Sequence, residues 1–254
     1  MDVTYQLRAG FAFEEAGTAG AGPENGQPGS PRRPASTRQR HGAGTGAGTG
    51  RPQFYRRYAK RVLDVVLVVL AAPPVVMVVA MLALAIWVTE RAQPFYRQDR
   101  IGLHGRVFRM WKLRTMVPDA DRRLEAYLAA NPEAREEWDR TQKLRHDPRV
   151  TRLGDVMRRT SLDELPQLWN VLKGDMSLVG PRPMMVSQRD LYPGAEYYLM
   201  RPGITGYWQT SVRNLSSFSE RAMYDRQYHE DLSLRTDLGL ILRTVKVVAH
   251  GTGC

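Results

Sequence analysis

The most pronounced feature of the hydrophobic pattern is an apolar run from Val62 to Val88, in which Asp64 is the only charged residue. As an α-helix rising 1.5 Å per residue, this run would be about 40 Å long, more than the roughly 30 Å of a bilayer's hydrocarbon core. Two prolines, Pro73 and Pro74, stand near its middle. Because a proline pair interrupts the hydrogen bonds of a helix, the pattern predicts two helical arms of about 11 and 14 residues separated by a break. Each arm is too short to span a bilayer alone.

Basic residues flank the apolar run on both sides. Since positive charge marks the cytoplasmic side of a membrane segment, both ends are predicted to be cytoplasmic. A re-entrant hairpin of helix, break and helix satisfies this bias, whereas a single straight span is the alternative that violates it. Asp64 is interpreted as a structural anchor that reaches the interface or pairs with Arg61, one turn back. The flanking basic residues are Arg51, Arg56, Arg57, Lys60 and Arg61 before the run, and Arg91, Arg97, Arg100, Arg106, Arg109, Lys112 and Arg114 after it.

Beyond the apolar run, the pattern first alternates and then becomes helical. Two short strands are predicted at Phe95–Gln98 and Val107–Lys112, on either side of a turn at Gly102–Gly105. Residues 119 to about 145 are predicted to form two helices divided at Asn131 and Pro132, as an N-cap and a first helical residue. Two further helices are predicted within 218–248, the second amphipathic and able to lie on a membrane or to close the core.

These segments predict an α+β fold in three parts. Residues 1–52 are rich in Gly, Ala, Pro, Arg and Ser and are predicted to be a disordered tail. Residues 53–92 form the membrane hairpin. Residues 93–254 form a small cytoplasmic domain of helices with short strands and irregular loops, which is expected to carry the chemistry.

Two adjacent carboxylates, Asp163 and Glu164, stand where a helix is predicted to begin. Ser161 and Glu164 match the S-x-x-E capping box, and apolar residues recur at helical spacing until Gly174. Pro166 lies too deep in such a helix, which predicts a later start or an irregular first turn. A buried helix with a polar cap is the plain interpretation. The functional one is an ionised Asp163 as a nucleophile toward phosphorus, with Glu164 beside it to hold a divalent cation.

Four basic side chains are candidates for binding phosphate. Arg158 stands just upstream of the acidic pair, and Arg182 stands between two prolines that restrict its backbone. Lys112 and Arg114 alternate with Leu113 and so share one face of the predicted strand. A solvated turn and a basic edge strand are the corresponding plain interpretations.

The segment T-S-L-D-E-L-P-Q-L-W-N-V-L-K-G-D-M-S-L-V-G-P-R-P (residues 160–183) resembles the signature of the bacterial sugar transferase family, the small monotopic phosphoglycosyl transferases. The resemblance continues in K-L-R-T-M (112–116), in R-P-G-I-T-G-Y-W-Q (201–209) and in Arg213-Asn214, and it covers roughly 58–248. Val212 stands where the family pattern has a glycine. The motif at 201–209 and the strongly charged segment from 119 to about 145 are most similar to the hexose-1-phosphate transferases of exopolysaccharide pathways.

The resemblance implies a reaction and a set of partners. A sugar 1-phosphate would pass from a UDP-sugar to polyprenyl phosphate through a phosphosugar bound to Asp163, with release of UMP. It implies Mg²⁺ at Asp163 and Glu164, phosphate contacts from Arg158, Arg182, Lys112, Arg114 and Arg213, and a monotopic enzyme at the cytoplasmic face of the bacterial inner membrane. The nucleotide would stack on Trp208 and bond to Gln209, although core packing is an equal alternative for Trp208.

The net charge of +11 and the single cysteine, Cys254, narrow the function classes. The charge predicts an anionic partner, whether nucleic acid, anionic lipid or nucleotide substrate; the resemblance favours lipid and UDP-sugar over nucleic acid. One cysteine excludes a disulfide within the chain and a cysteine-based zinc site. A basic membrane adaptor without enzymatic activity would explain the charge but not the acidic pair. The sequence leaves self-association open.

Overall fold

The apolar run forms one long helix, α1 (Lys60–Glu90), which follows a π-helical turn at Tyr55–Ala59. The structure is a computed structural model that describes residues 54–141, 144–211 and 220–249. The predicted disordered tail, 1–52, lies outside these residues. Only 6% of the most apolar stretch of the helix is buried, unlike the core helix of a water-soluble protein. By length and composition, α1 is able to cross a membrane.

Pro73 and Pro74 lie inside α1 and do not divide it. The predicted break between two helical arms is therefore wrong. Each proline lacks one backbone N–H donor, but the neighbouring turns keep their hydrogen bonds. A helix also satisfies its own backbone groups where water is absent. A continuous helix can still bend at a proline pair.

The N-terminal half of α1 is fixed to the rest of the protein by buried polar contacts. The Asp64 carboxylate accepts hydrogen bonds from the Ser177 hydroxyl at 2.8 Å and from the Leu178 backbone N–H at 3.0 Å. Asp64 is thus a structural anchor, as predicted. Arg61 instead donates to the carbonyls of Val171 and Leu172 at the end of another helix.

The C-terminal half of α1 packs against the same body through apolar side chains. Ile86 is fully buried and forms a cluster with Leu113 and Met157, with Val79 and Leu82 packed at its edge. Both ends of α1 therefore contact one folded unit.

An antiparallel hairpin forms at the two predicted strands: β1 (Phe95–Ile101) and β2 (Val107–Leu113). The register places Lys112 opposite Tyr96 and Trp111 opposite Arg97. Since opposite residues point to the same side, Lys112 and Trp111 lie on different faces of this hairpin. A third strand, Met184–Met185, pairs with β1, so that β2 is an edge strand.

The segment around the acidic pair follows a helix and a turn. Helix Arg152–Thr160 ends at Ser161, whose left-handed backbone (φ 57°) leads into a 3₁₀ turn at Leu162–Glu164. Ser161 makes no side-chain cap, so the predicted capping box is wrong; its backbone N–H instead closes the preceding helix. The predicted irregular first turn is confirmed, because the following helix begins only at Gln167, after Pro166.

The remaining predicted helices are confirmed, including the boundary at Asn131 and Pro132. The last helix closes the core through Leu240, while its Leu242 and Val245 are exposed. In chain order, the described elements that follow β2 are α2 (Ala120–Ala130), α3 (Pro132–Thr141), α4 (Arg152–Thr160), α5 (Gln167–Lys173), β3 (Ser177–Val179), β4 (Met184–Met185), 3₁₀ turns at Val186–Leu191 and Glu196–Leu199, β5 (Gly203–Thr205), parallel to β3, α6 (Tyr207–Thr210), α7 (Arg221–Asp231) and α8 (Leu234–Ala249).

Candidate functional site

A polar cleft of about 1090 Å³ opens over the Lys112 face of the β1–β2 hairpin. The end of α4, the 3₁₀ turn and α6 complete its walls. The structure brings most of the sequence-predicted site residues into this one cleft. They are Lys112, Arg114, Arg158, Asp163, Glu164, Arg182, Trp208 and Gln209. Arg213 lies outside the described residues.

Lys112 joins the two carboxylates. Its Nζ lies 2.7 Å from Glu164 Oε1 and 3.4 Å from Asp163 Oδ2. The 3₁₀ turn places both acids beside the last residues of β2, since Glu164 N–H donates to Ser161 O and holds the turn closed. One ammonium thus bridges two acids, and the closer contact is with Glu164.

Asp163 is the more deeply placed of the two acids, with 7% of its surface exposed. Burial raises its pKa above the ordinary value, and the negative charge of Glu164 acts in the same direction. Lys112 and Arg158 oppose this shift. A buried carboxylate that stays accessible to a cleft, and that depends on nearby cations for its ionisation, has the properties of a nucleophile or a base.

Arg158 and Arg114 are positioned by neighbouring backbone and hydroxyl groups. Arg158 Nε donates to Thr115 Oγ1 at 2.9 Å, just past the end of β2. Arg114 Nε donates to the carbonyl of Gln93 at 2.7 Å. Both side chains still line the cleft. Each guanidinium has further N–H groups that could meet an anion there.

Trp208 contacts two guanidinium groups. The Arg182 and Arg221 guanidinium carbons each lie 5.4 Å from its ring centroid, and Arg221 also donates to the Arg182 carbonyl. The ring of Trp208 lines the cleft and also orders two arginines. Trp208 is therefore neither simply a core residue nor simply an open surface for stacking a nucleotide.

Arg100 and Arg221 also line the cleft, and neither was predicted as a site residue. Burial, with the positive charge of Arg182 next, lowers the pKa of Arg100 to about 10, and burial likewise lowers that of Arg221. Arg100 therefore stays protonated at neutral pH. The negative charge of Asp225 partly offsets the lowering of the pKa of Arg221. Three guanidiniums on one wall create a strongly positive site, which an anion with several oxygens would neutralise.

The sequence signals for these two residues were weak. Arg100 shares a strand face with Gln98 and Tyr96, so alternation together with the hairpin register would have identified it. Arg221 begins α7, far from the other site residues in sequence, and no local pattern indicates it.

Gly203 and Gly206 allow close packing against the Gly180 backbone. A Cβ on Gly203 would lie 2.1 Å from the Gly180 nitrogen, and one on Gly206 would lie 2.2 Å from the Gly180 carbonyl oxygen. Gly203 begins β5, and Gly206 has an extended backbone before α6. This contact brings Trp208 and Gln209 alongside the Arg182 turn. Gln209 is buried, and its Nε2 lies 3.5 Å from the Gly203 carbonyl.

The donor set suits a small hard cation. Within the described ranges, no cluster of three or more His, Cys, Asp or Glu side chains is placed to hold a metal ion. Asp163 and Glu164 together supply carboxylate oxygens at one edge of the cleft. Mg²⁺ commonly binds to one or two carboxylates and completes its shell with phosphate oxygens and water, so the pair fits Mg²⁺ in company with a phosphorylated ligand.

Comparison with known proteins places the chain in a family. The family model described as bacterial sugar transferase matches residues 55–251. The chain is 41% identical over 203 residues to a UDP-galactose-lipid carrier transferase of Erwinia amylovora, which covers 78% of this chain and 42% of that protein. It is also 41% identical to the exopolysaccharide production protein ExoY of Sinorhizobium fredii, over 77% of this chain and 87% of that protein.

A UDP-glucose:undecaprenyl-phosphate glucose-1-phosphate transferase of Caulobacter vibrioides is 41% identical, over 73% of this chain and 68% of its own length. The chain thus spans less than half of some relatives and most of others. The match to the family model includes the acidic pair, the cleft and α1. This chain belongs to the bacterial sugar transferase family.

Proposed function

We propose that this protein transfers a sugar 1-phosphate from a UDP-sugar to polyprenyl phosphate, as the first step in assembly of an exopolysaccharide or another surface glycan. The observation that carries the proposal is the juxtaposition of Asp163 and Glu164, bridged by Lys112, with the guanidiniums of Arg100, Arg182 and Arg221 in one cleft. The names of the relatives support a nucleotide-sugar donor and a lipid-linked phosphate acceptor. Several of these names specify galactose or glucose, which supports a hexose as the transferred sugar.

In the first step, an ionised Asp163 oxygen attacks the phosphorus that carries the sugar. A new O–P bond forms, the bond from that phosphorus to the bridging oxygen breaks, and UMP leaves with the electron pair. In the second step, a phosphate oxygen of the polyprenyl phosphate attacks the same phosphorus. The Asp163–phosphorus bond breaks, which regenerates the carboxylate and gives a polyprenyl diphosphate sugar.

The basic side chains have separate tasks in this scheme. Burial raises the pKa of Asp163, and Lys112 opposes this shift and so favours the ionised form. Arg158, Arg182, Arg100 and Arg221 offer planar donors to the phosphate oxygens on which negative charge is concentrated. Mg²⁺ would be held by Asp163 and Glu164, and when bound it would offset the charge of the diphosphate.

We further propose that α1 bends at Pro73 and Pro74, so that it enters the membrane from the cytoplasmic face and returns to it. Both halves of the helix pack against the same folded unit, Asp64 on Ser177 and Ile86 on Leu113. A helix that crossed a bilayer would carry its two ends to opposite sides. This placement also suits the acceptor, because the phosphate of a membrane-embedded polyprenyl phosphate lies at headgroup depth.

The decisive experiment measures UMP release from a panel of UDP-sugars, with and without polyprenyl phosphate, by the purified protein with Mg²⁺. We expect Asp163→Asn to lower UMP release by about 10³-fold or more, because an amide cannot attack phosphorus. Asp155→Asn is the matched control: Asp155 is an exposed aspartate on α4 that pairs with Arg159. Mass spectrometry of acid-quenched wild-type protein with donor alone should find a phosphosugar on Asp163. Normal turnover without that adduct, or with Asp163→Asn, would contradict the proposal.

A further inference from the structure

Gln167 is a polar side chain of the cleft that has no part in the two steps proposed for the transfer. It stands at the start of α5, lines the cleft, and has only 3% of its surface exposed. Among the residues that the structure describes, none forms a hydrogen bond with its side-chain amide. A buried amide without a partner lowers the stability of a protein. The position of Gln167 therefore indicates a partner that binds in the cleft.

The backbone between the acidic pair and α5 places Gln167 beside both acids. Hydrogen bonds between residues three apart, at Leu165 and Leu168, continue the coil of the 3₁₀ turn into α5. Residues three and four apart are neighbours on such a coil, and Gln167 follows Glu164 by three residues and Asp163 by four. The three polar side chains line the cleft, whereas Leu165 and Leu168 line an apolar cavity on the other side.

Asn170, one turn further along α5, fixes this helix against β2. Its side-chain amide is fully buried, accepts a hydrogen bond from Trp111 N–H at 3.0 Å and donates one to Arg109 O at 2.8 Å. The amide thus pairs with the edge of β2 as a neighbouring strand would. Because Lys112 follows Trp111, this contact also fixes α5 relative to the ammonium that bridges the acids. Gln167 is therefore held beside the acidic pair before a ligand binds.

The chemistry of this position favours a phosphoryl oxygen as the partner of Gln167. An amide offers two N–H donors and no charge, so it can bind an anionic oxygen without competing with Asp163 for Lys112. In the proposed reaction, the transferred phosphoryl group is bonded to Asp163 between the two steps. It is therefore the group that lies beside Gln167 in both half-reactions.

We propose that Gln167 Nε2–H donates a hydrogen bond to a nonbridging oxygen of the transferred phosphoryl group. The bond serves the attack by Asp163 and again the attack by the lipid phosphate. This inference rests on the proposed function. A donor that is already in place, and that meets an oxygen on which charge is concentrated, stabilises the transition state more than the bound substrate.

Gln167→Met tests the role of the amide, because methionine is a good helix former of similar length. The full chain in lipid nanodiscs is assayed for phosphosugar formation from donor alone, and then, once loaded, for transfer to undecaprenyl phosphate. We expect both rates to fall by about 10²-fold, with the KM for the UDP-sugar within about threefold. Gln227→Met is the matched control, since Gln227 is exposed on α7, and both of its rates should stay within about twofold.

Stability separates a role in the reaction from a structural one. Gln167→Met removes a buried amide that has no partner among the described residues, so its midpoint of denaturant unfolding should equal or exceed that of the wild type. This measurement does not depend on activity. A lower midpoint would show that the amide is paired within the folded chain, and the inference would be wrong.

Gln167→Glu separates the N–H donor from the amide oxygen, which is the atom that could bind a metal ion. Glutamate keeps an oxygen and loses the donor, so this variant should be at least as slow as Gln167→Met. The Mg²⁺ concentration that gives half the maximal rate should be unchanged in Gln167→Met. A tenfold rise in that concentration, or normal activity of Gln167→Glu, would assign the side chain to the metal and refute the donor role.

Two further results have different meanings. Rates of Gln167→Met within twofold of the wild type would overturn the inference and leave the proposed function intact. A wild-type protein that forms no phosphosugar from any UDP-sugar would refute the proposed function itself.

Discussion

Among single residues, Lys112 is the one that most favours the charged form of Asp163. Burial raises the pKa of Asp163, and Lys112 is the strongest of the groups that lower it again. The same ammonium lies closer to Glu164, at 2.7 Å, than to Asp163, at 3.4 Å. Asp163 is therefore held by a cation that is shared, which leaves its carboxylate less tightly paired and more available for reaction.

The pH dependence of the donor half-reaction should reveal this role. An aspartate with a raised pKa loses its proton only at a higher pH, so the rate should fall with decreasing pH through a midpoint above 3.8, the ordinary value for this residue. Lys112→Met removes the largest stabilisation of the charged form. We expect its acid limb to move to higher pH, in addition to a lower maximal rate.

Arg159→Met is the control for this measurement. Arg159 is 63% exposed and pairs with Asp155, so its loss should leave the acid limb in place. The role assigned to Lys112 would be wrong if Lys112→Met left the limb unmoved or shifted it to lower pH.

Local sequence patterns identified some of the residues that line the cleft and missed others. Asp163, Glu164, Lys112 and Arg182 stand in contiguous motifs and lie together in the cleft. Arg100 was missed because its importance depends on a strand register, and strand register is a pairing between distant segments.

At the level of elements, the prediction succeeded where short-range rules suffice. The break at Asn131 and Pro132 follows from proline geometry, and the β1–β2 hairpin follows from alternation. It failed at Ser161, since the end of α4 imposes a left-handed backbone there that a capping residue does not adopt. It also failed at Pro73, where the helix continues through the proline pair.

Helix α4 is placed by a close contact that only glycine permits. A Cβ on Gly154 would lie 2.1 Å from the carbonyl oxygen of Thr115. Gly154→Ala should therefore push α4 away from the end of β2 and move Arg158, which donates to Thr115. We expect a loss of about 1–3 kcal/mol in the free energy of unfolding and a slower donor half-reaction.

Gly239→Ala provides the comparison in α8. A Cβ there meets no atom within 4 Å, so alanine should stabilise the helix by roughly 0.5–1 kcal/mol. Denaturant unfolding of both variants in detergent gives the two free energies. Equal stability of the two variants would mean that α4 does not depend on this contact.

For the whole molecule, the exposed apolar surface of α1 is the feature that bears on membrane binding. Exposed apolar residues along one side of the helix and basic residues at both ends are consistent with insertion from the cytoplasm. Polar anchoring at Asp64 and apolar packing at Ile86 hold both halves of α1 on the body that contains the cleft.

Cysteine labelling tests this topology directly. In a Cys254→Ser background, which removes the one native cysteine, Arg57→Cys and Arg97→Cys should each resist a membrane-impermeant maleimide in intact spheroplasts. Both should react after permeabilisation, because both ends are expected in the cytoplasm. Labelling of one position from outside would establish a true span and refute the re-entrant arrangement.

Strand β2 separates a polar surface of the protein from an apolar one. Adjacent residues on a strand are about 3.4 Å apart and point to opposite sides. Lys112 therefore lines the polar cleft, whereas Trp111 lines an apolar cavity of about 580 Å³ on the other side of the strand. A single-residue insertion in this strand would exchange the two surfaces, placing an indole in the polar cleft and an ammonium in the apolar cavity. The separation of the two surfaces therefore depends on the number of residues in β2. Engineering of this protein has to preserve the length of the strand more than its composition.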